Sequence, residues 1–275
     1  MNRIRQRTSV RAYETTPFDI QNLYPLMEEC TGGVFGNHFK PEIYDSDAAK
    51  EIGINRFSSM GAITGNPAYI LARFPADRLK LIDYGYCLEH LVLNLTEVGY
   101  GTCWLGMIPN KGKIERQLGV EDAENIPALI SVGKAIPNKA WHQKLRSRQS
   151  KDRKRIDQLF YSTFIGSPIR GYQLNKYSEI FEAVQKSPST MNKQPWRIVI
   201  DDNYFRFYMQ ADYITEHGLN LKYIDMGIVM CHFEIAAKSL GLQGYWMTEI
   251  IRPFDKYEYI TSYVVGEKKQ NAYEQ

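Results

Sequence analysis

The chain has 275 residues, of which 44% are hydrophobic and 24% are charged, and this is the composition of a globular protein with a sizeable core. The formal net charge of +3 favours neither nucleic acid nor a membrane surface as a partner. No window approaches the ~18 uninterrupted apolar residues of a membrane-spanning helix, and the four cysteines form no CxxC pair, so we expect a cytoplasmic protein with buried thiols.

The first half of the chain is predicted to begin with a basic arm, Arg3–Tyr13, followed by a helix over Asp19–Cys30. Residues 36–59 have weak periodicity and are predicted to be a loop with one short helix. Further elements are a strand over 66–72, a buried helix over Asp83–Val98 that ends at Gly99 with positive φ, and a strand over Pro127–Gly133.

The second half repeats this order. A helix is predicted over Tyr177–Lys186, two strands over Arg197–Asp201 and Tyr204–Gln210, a helix over Asp225–Leu240 and a strand over Tyr259–Gly266. Strands and helices do not alternate as regular βαβ units. The sequence therefore predicts an α+β fold.

An internal repeat connects the two halves. LIDYGYCLEHLVLNLTEVGYGTCWLGMI at Leu81–Ile108 recurs without gaps as YIDMGIVMCHFEIAAKSLGLQGYWMTEI at Tyr223–Ile250. We therefore expect two α+β halves, residues 1–160 and 161–275, related by a pseudo-twofold axis, with room for a ligand between them. The identical pairs are Ile82/Ile224, Asp83/Asp225, Gly85/Gly227, His90/His232, Gly99/Gly241, Trp104/Trp246 and Ile108/Ile250.

Two segments could bind an anion. Arg7, Thr8, Ser9 and Arg11 place two guanidiniums and two hydroxyls where they could converge on a phosphate, although a hydroxyl could instead cap the following turn. A second cationic segment runs from Lys144 to Arg155. It suits a solvated linker or a phosphate site better than a nucleic-acid surface.

The string SPSTMNKQPW at Ser187–Trp196 is the most specific motif of the chain. It joins a helix to a strand, so we expect an exposed connection whose amides could recognise the mixed edge of a heterocycle. The alternative is a stiff turn with Trp196 as a core anchor. GYGTCWLG at Gly99–Gly106 is predicted to be a glycine-rich turn that allows the backbone to approach a flat ligand closely.

The sequence contains no HExxH, GxSxG, P-loop or zinc-finger motif, and its five histidines are scattered. His90 and His232 occupy matching repeat positions, which indicates shared packing more than a pair of metal ligands. We assign no metal site and no catalytic side chain from the sequence.

Together, RTSVRAY, the helix ending in GYGTCWLG, the segment KDRKRIDQLF and the turn SPSTMNKQPWRIVI resemble the FMN-dependent nitroreductase family over most of the chain. In that family a homodimer holds FMN at its interface. Here each element occurs once and they are distributed between the two halves. This is similar to a subgroup in which the dimer is fused into one polypeptide, and it implies a nitroreductase-like fold.

The resemblance also implies which residues bind the cofactor. The phosphate contacts would come from the N-terminal arm and the second cationic segment: Arg7, Thr8, Ser9, Arg11, Lys151 and Arg153. The residues against the isoalloxazine ring would be Trp104, Leu105 and Gly106, the last offering its backbone N–H to flavin N5. The contacts to the pyrimidine edge and the ribityl chain would be Pro188, Ser189, Asn192 and Gln194.

The symmetry-related second site is expected to be lost. CTGGVFGNHF takes the place of SPSTMNKQPW, and SPIRG, with the single arginine Arg170, takes the place of RTSVR. The resemblance thus implies one FMN per chain, with NADH or NADPH as electron donor and a nitroaromatic, a quinone or a similar small molecule as acceptor. We expect a monomeric pseudo-dimer or a weak homodimer. The alternatives are a flavin-binding protein without turnover and a degenerate pseudoenzyme.

Overall fold

A computed structural model describes residues 1–16, 19–29, 32–55, 63–121, 124–136, 153–211, 219–251 and 254–267. Helices and strands both occur throughout this part of the chain, and the fold is α+β as predicted. The helices are α1 (Asn2–Gln6), α2 (Tyr24–Glu28), α3 (Ser46–Glu51), α4 (Arg78–Glu97), α5 (Lys111–Gln117), α6 (Ile156–Leu159), α7 (Gly171–Lys176), α8 (Ser178–Lys186) and α9 (Lys222–Ser239). The strands are β1 (Glu42–Tyr44), β2 (Ala68–Leu71), β3 (Gly101–Leu105), β4 (Leu129–Gly133), β5 (Phe160–Ser162), β6 (Trp196–Asp201), β7 (Tyr204–Gln210), β8 (Gly244–Met247) and β9 (Tyr257–Val265).

The strands form two sheets of similar topology. The first has the order β1-β2-β4-β3, and all of its strands are antiparallel. The second has the order β5-β6-β7-β9-β8, in which β5 is parallel to β6 and the other pairs are antiparallel. Without β5, the chain visits the positions of both sheets in the same sequence, as expected for two related halves.

The two helices of the repeat, α4 and α9, pack against each other and are buried on most faces. Helix α4 begins at the N-cap Asp77, whose side chain accepts a hydrogen bond from the backbone of Lys80. Both helices are followed by a glycine with positive φ, Gly99 at 89° and Gly241 at 72°. This is the αL geometry that glycine adopts without strain after a helix.

Several predicted elements differ from the structure. The helix predicted over Asp19–Cys30 is divided into a 3₁₀ turn, Ile20–Leu23, and α2, because Pro25 lacks the N–H that a continuous helix needs and starts a new helix at its first turn. Cys30 itself lies outside the described residues. The loop predicted over 36–59 contains α3 as expected, but also strand β1, which its weak alternation concealed.

The glycine-rich turn predicted over Gly99–Gly106 is wrong in its greater part, because residues 101–105 form β3 and pair with β4. Val98, Gly99 and Tyr100 connect the helix to this strand. The proposed boundary between the halves stays a prediction, and β5 extends across it as the first strand of the second sheet. Among the described residues, no helix is long and apolar enough to cross a membrane.

Candidate functional site

A cavity of about 310 Å³ lies between the two halves, within the size range of small-molecule sites. The first half contributes the N-terminal arm and the end of β3, and the second half contributes the loop after α8 and the first half of α9. The cavity is lined by Ser9, Arg11, Cys103, Trp104, Leu105, Gly106, Met107, Pro109, Ala128, Arg153, Pro188, Ser189, Thr190, Met191, Asn192, Leu221, Ile224, Asp225 and Ile228.

The N-terminal arm is held along β3 by backbone contacts. Ser9 forms a parallel bridge with Thr102, and the N–H of Val10 donates to the Thr102 carbonyl over 2.8 Å. This close approach needs Gly101, since a Cβ there would lie 2.8 Å from the Val10 side chain. The arm therefore presents Ser9 and Arg11 to the cavity on a fixed backbone.

At one end of the site, the guanidinium groups of Arg7 and Arg153 are largely buried from solvent. Burial, and then the nearby guanidinium of Arg7, lower the pKa of Arg153 to about 10. Arg153 donates hydrogen bonds to the carbonyls of Ser187 and Lys186, and both acceptors are neutral. Nε of Arg7 is buried without a hydrogen-bond partner among the described residues. An anion bound here would relieve the repulsion between these side chains.

Trp104 is fixed by a buried polar network that crosses from one half to the other. Its indole N–H donates to Oε2 of Glu89 over 2.7 Å, while Oε1 of Glu89 lies 2.8 Å from Nε2 of His232. Nδ1 of His232 is 3.1 Å from the carbonyl of Ala183, which can only accept, so Nδ1 carries a proton. Glu89 and His232 are fully buried, and Arg7 Nε lies 3.9 Å from Glu89 Oε1.

His232 therefore belongs to this network, whereas His90 packs edge-on against Tyr86 with ring centroids 4.8 Å apart. The two matching histidines contact different residues, so they do not share the packing role that their equivalent positions in the repeat predicted. In the part of the chain that the structure describes, no three His, Cys, Asp or Glu side chains gather as metal ligands.

The loop after α8 is stiff, and three of its non-glycine residues have positive φ: Met191 at 50°, Asn192 at 57° and Gln194 at 46°. Such backbone is maintained only when its surroundings over-determine it. Here the N–H of Gln194 donates to Oγ of Ser189 over 2.9 Å, and the Gln194 amide donates to Asn192. The backbone N–H of Lys154 donates to Oε1 of Gln194 over 3.1 Å.

The prediction of an exposed connection is wrong for most of this loop. Ser187, Gln194 and Trp196 are each 0% exposed, and Trp196 lies in the core as the alternative interpretation expected. The reason is that the following strand β6 is an interior, buried strand of its sheet, and the residues that lead into it are buried with it. Met191 is 73% exposed and lies at the tip.

The structure brings most of the predicted site residues to the cavity lining: Ser9, Arg11, Trp104, Leu105, Gly106, Arg153, Pro188, Ser189 and Asn192. Arg7, Thr8 and Gln194 do not line it. Arg7 stands behind the lining beside Glu89, and Gln194 is buried within the loop. Lys151 lies outside the described residues. Cofactor contacts of all these residues stay predictions.

Asp225 lines the cavity and was not predicted as a site residue, although its identity with Asp83 in the repeat was visible. It is 2% exposed. Oδ1 accepts hydrogen bonds from the backbone N–H and the hydroxyl of Thr190, at 2.9 and 3.2 Å, but Oδ2 has no hydrogen-bond partner among the described residues. Burial raises the pKa of Asp225 to about 7, against the opposing effects of Thr190 and Lys222.

The matching residue Asp83 has different surroundings. Its carboxylate accepts hydrogen bonds from the backbone of Phe35 and from the backbone and side-chain amides of Asn37, at 2.8–3.1 Å. Gly33 lies so close that a Cβ there would come within 2.1 Å of Asp83. Phe35 packs against the core of the second half. The first-half loop thus surrounds its aspartate, and the second-half loop leaves an oxygen beside a cavity.

Comparisons with known proteins agree with this fold. A protein-family model described as "Putative TM nitroreductase" matches residues 1–237. The chain superimposes on the crystal structure of a "putative nitroreductase" from Thermotoga maritima with a TM-score of 0.63 and 18% identity, over 96% of this chain and 92% of that one. No curated protein matches the chain.

Two further solved structures are similar over a smaller part of the chain. A nitroreductase family protein from Clostridium novyi NT is 23% identical over 61% of this chain and 95% of that one, with a TM-score of 0.43. An FMN-dependent nitroreductase from Clostridium difficile R20291 is 19% identical over 50% of this chain and 88% of that one, with a TM-score of 0.42.

Proposed function

Because this chain belongs to the nitroreductase family whose model covers residues 1–237, we propose that it is an FMN-dependent oxidoreductase with one flavin site per chain. NADH or NADPH is the electron donor. The acceptor is a conjugated small molecule such as a nitroaromatic or a quinone. The three described cysteines Cys87, Cys103 and Cys231 are all buried, which supports the proposal of a reducing, cytoplasmic compartment.

The observation that carries this proposal is the composition of the cavity. One cavity combines the side chains of Arg11 and Arg153, the latter largely buried, with an apolar lining that includes Trp104, Leu221, Ile224 and Ile228. A phosphate ester suits the arginines, and a flat aromatic ring suits the apolar residues. FMN carries both groups in one molecule, so the residues present fit the cofactor.

We assign the phosphate to Ser9, Arg11 and Arg153, with Arg7 adding positive charge from behind them and Thr8 and Lys151 as further contacts. Trp104, Leu105 and Gly106 would lie against the ring, and Pro188, Ser189 and Asn192 would contact its polar edge and the ribityl chain. Gln194 serves best as a brace, because its amide groups already bind Asn192 and Lys154. This differs from the direct flavin contact that the family resemblance implies for Gln194.

When bound, FMN supplies the redox chemistry, exchanging a hydride and electrons between the nicotinamide and the acceptor. The protein residues bind and orient the ring and keep water from one of its faces. Trp104 cannot rotate while Glu89 holds its indole N–H, so the wall that it forms is rigid. The lining offers no histidine or lysine among the described residues, and the proposed reaction needs no nucleophile or general acid from the protein.

We attribute the loss of the second site to the loop around Asp83, which surrounds the side chain of that residue. The similarity of the two halves supports an origin by internal duplication. Phe35 and Asn37 of this loop donate hydrogen bonds to both oxygens of Asp83, whereas Oδ2 of Asp225 has no partner among the described residues. Arg170, the counterpart of Arg11, is exposed and precedes α7, and it does not line the cavity that Arg11 lines.

The test is reconstitution of the purified protein with FMN, followed by anaerobic reduction with NADH or NADPH and reoxidation by a nitroaromatic or quinone. We expect about one flavin per chain, bleaching by a nicotinamide and recovery with the acceptor. Bound flavin that no nicotinamide reduces would identify a flavin-binding protein without turnover. A protein that takes up no FMN would overturn the proposal, and two flavins per chain would overturn the single site.

A further inference from the structure

Asp225 combines three properties, of which its matching residue Asp83 shares only the burial. It lines the cavity, it is almost fully buried, and one carboxylate oxygen has no hydrogen-bond partner among the described residues. A buried polar atom without a partner costs free energy, because its lost hydrogen bond to water is not replaced. Such an atom in a cavity wall is explained if a ligand supplies the missing donor.

The position of Asp225 indicates which part of the ligand it faces. The other cavity-lining residues at the start of α9 are apolar, namely the N-cap Leu221 and the helical residues Ile224 and Ile228. Because these apolar side chains suit a flat ring, Asp225 belongs to the ring end of the cavity.

The chemistry of the flavin ring limits which of its atoms can donate a hydrogen bond to Oδ2 of Asp225. The oxidised isoalloxazine ring has a single N–H, the imide N–H at N3. We propose that Oδ2 of Asp225 accepts a hydrogen bond from this N3–H and makes Asp225 a specificity-determining residue for flavin. The proposal rests on the proposed function, since it requires FMN in this cavity. It also gives Oδ1 and Oδ2 separate tasks, because Oδ1 holds Thr190 and thereby the loop.

The test compares FMN with FMN methylated at N3, which lacks the donor, in fluorescence titrations of the wild-type protein and of Asp225→Asn. Asparagine can keep its oxygen toward Thr190 and place an NH₂ group where Oδ2 was. We expect the wild type to bind FMN at least ~10-fold more tightly than the methylated flavin, and the variant to show a preference for FMN that is at least ~3-fold smaller than that of the wild type. The steric effect of the methyl group is common to both proteins and cancels in this comparison.

Asp83→Asn is the matched control, because Asp83 is chemically the same residue in the other half and does not line the cavity. It should keep the wild-type preference for FMN. Equal preference in the wild type and Asp225→Asn would overturn the inference while leaving the proposed function intact. A wild type that binds neither flavin would overturn both.

A measurement on the wild type alone covers the case in which a variant does not fold. FMN labelled with ¹⁵N at N3 should show an N3–H resonance in the complex that is protected from exchange with water. A rapidly exchanging N3–H in a complex that binds FMN tightly would contradict the hydrogen bond and point to a ribityl hydroxyl as the donor instead.

Discussion

Gly85 and Gly227 make reciprocal contacts across the central helix pair. A Cβ on Gly85 would lie 2.1 Å from the carbonyl oxygen of Ile224, and a Cβ on Gly227 would lie 1.9 Å from that of Ile82. Since Ile82 and Ile224 are themselves matching repeat positions, each glycine meets the same backbone atom of the other half. This is the self-complementary contact expected of a twofold interface.

Alanine at either glycine should therefore force the two helices apart. We expect Gly85→Ala and Gly227→Ala each to lower the free energy of unfolding by about 1–3 kcal/mol, the usual cost of overpacking a core. Chemical denaturation measures this loss. Gly99→Ala is not a suitable control because of its positive φ, but Gly171→Ala is, since nothing lies within 4 Å of its Cβ position. Wild-type stability of both central variants would contradict the close packing.

Arg11 and Arg170 form a second matched pair, one at the cavity and one exposed on the other half. Arg11→Glu should weaken FMN binding by about 2–5 kcal/mol, because it replaces a phosphate contact with repulsion. Arg170→Glu should leave the affinity within about 2-fold. Flavin titration of both variants checks this. Equal losses would mean that general charge, and not a phosphate contact, determines the affinity.

The protonation of Asp225 predicts a pH-dependent stability difference. A folded pKa of about 7 lies above the ordinary pKa of 3.8 for an aspartate, so the folded state favours the protonated carboxyl. The associated stability is fully present below the unfolded pKa and is lost as the pH rises through about 7. Without FMN, Asp225→Asn should therefore unfold at a higher denaturant concentration than the wild type at pH 8, and this advantage should shrink toward pH 5.

Asp83→Asn should behave in the opposite way. Both Asp83 oxygens accept from N–H groups, so a side-chain NH₂ group must face another donor. We expect a loss of about 1–3 kcal/mol at pH 8. The same denaturation series measures both variants. A destabilised Asp225→Asn at pH 8 would show that Oδ2 already has a partner in the protein.

Glu89 links Trp104 to His232, and its substitutions should separate hydrogen bonding from charge. In Glu89→Gln the oxygen can accept from Trp104, while the amide donates to Nε2 of a neutral His232. Glu89→Ala removes both contacts and leaves the indole and imidazole nitrogens buried. We expect alanine to cost about 3–5 kcal/mol of stability and glutamine about 1 kcal/mol. Equal stabilities of the two variants would contradict the network.

The elements that could be predicted from the sequence are those that local patterns of a few residues mark. Periodicity and backbone preference, which a few neighbouring residues express, were enough to predict several features. These are the repeat, the buried helices, the strands 129–133 and 204–210 and the αL glycines Gly99 and Gly241. Strands β1, β3, β5 and β8 were not predicted, because they are only three to five residues long and β3 and β8 begin at glycines, so that no local alternation marks them.

For the site, the sequence alone determined which segments carry phosphate-binding and ring-binding side chains, since residue type and spacing set that capacity. Only the tertiary structure decided that Gln194 is used within its own loop and that Glu89 meets His232 from the other half. It also decided that Asp83 is fully hydrogen-bonded while Asp225 keeps an oxygen beside the cavity. Identical residues at matching positions differ here because burial and hydrogen-bond partners come from segments far away in the chain, and no local pattern encodes them.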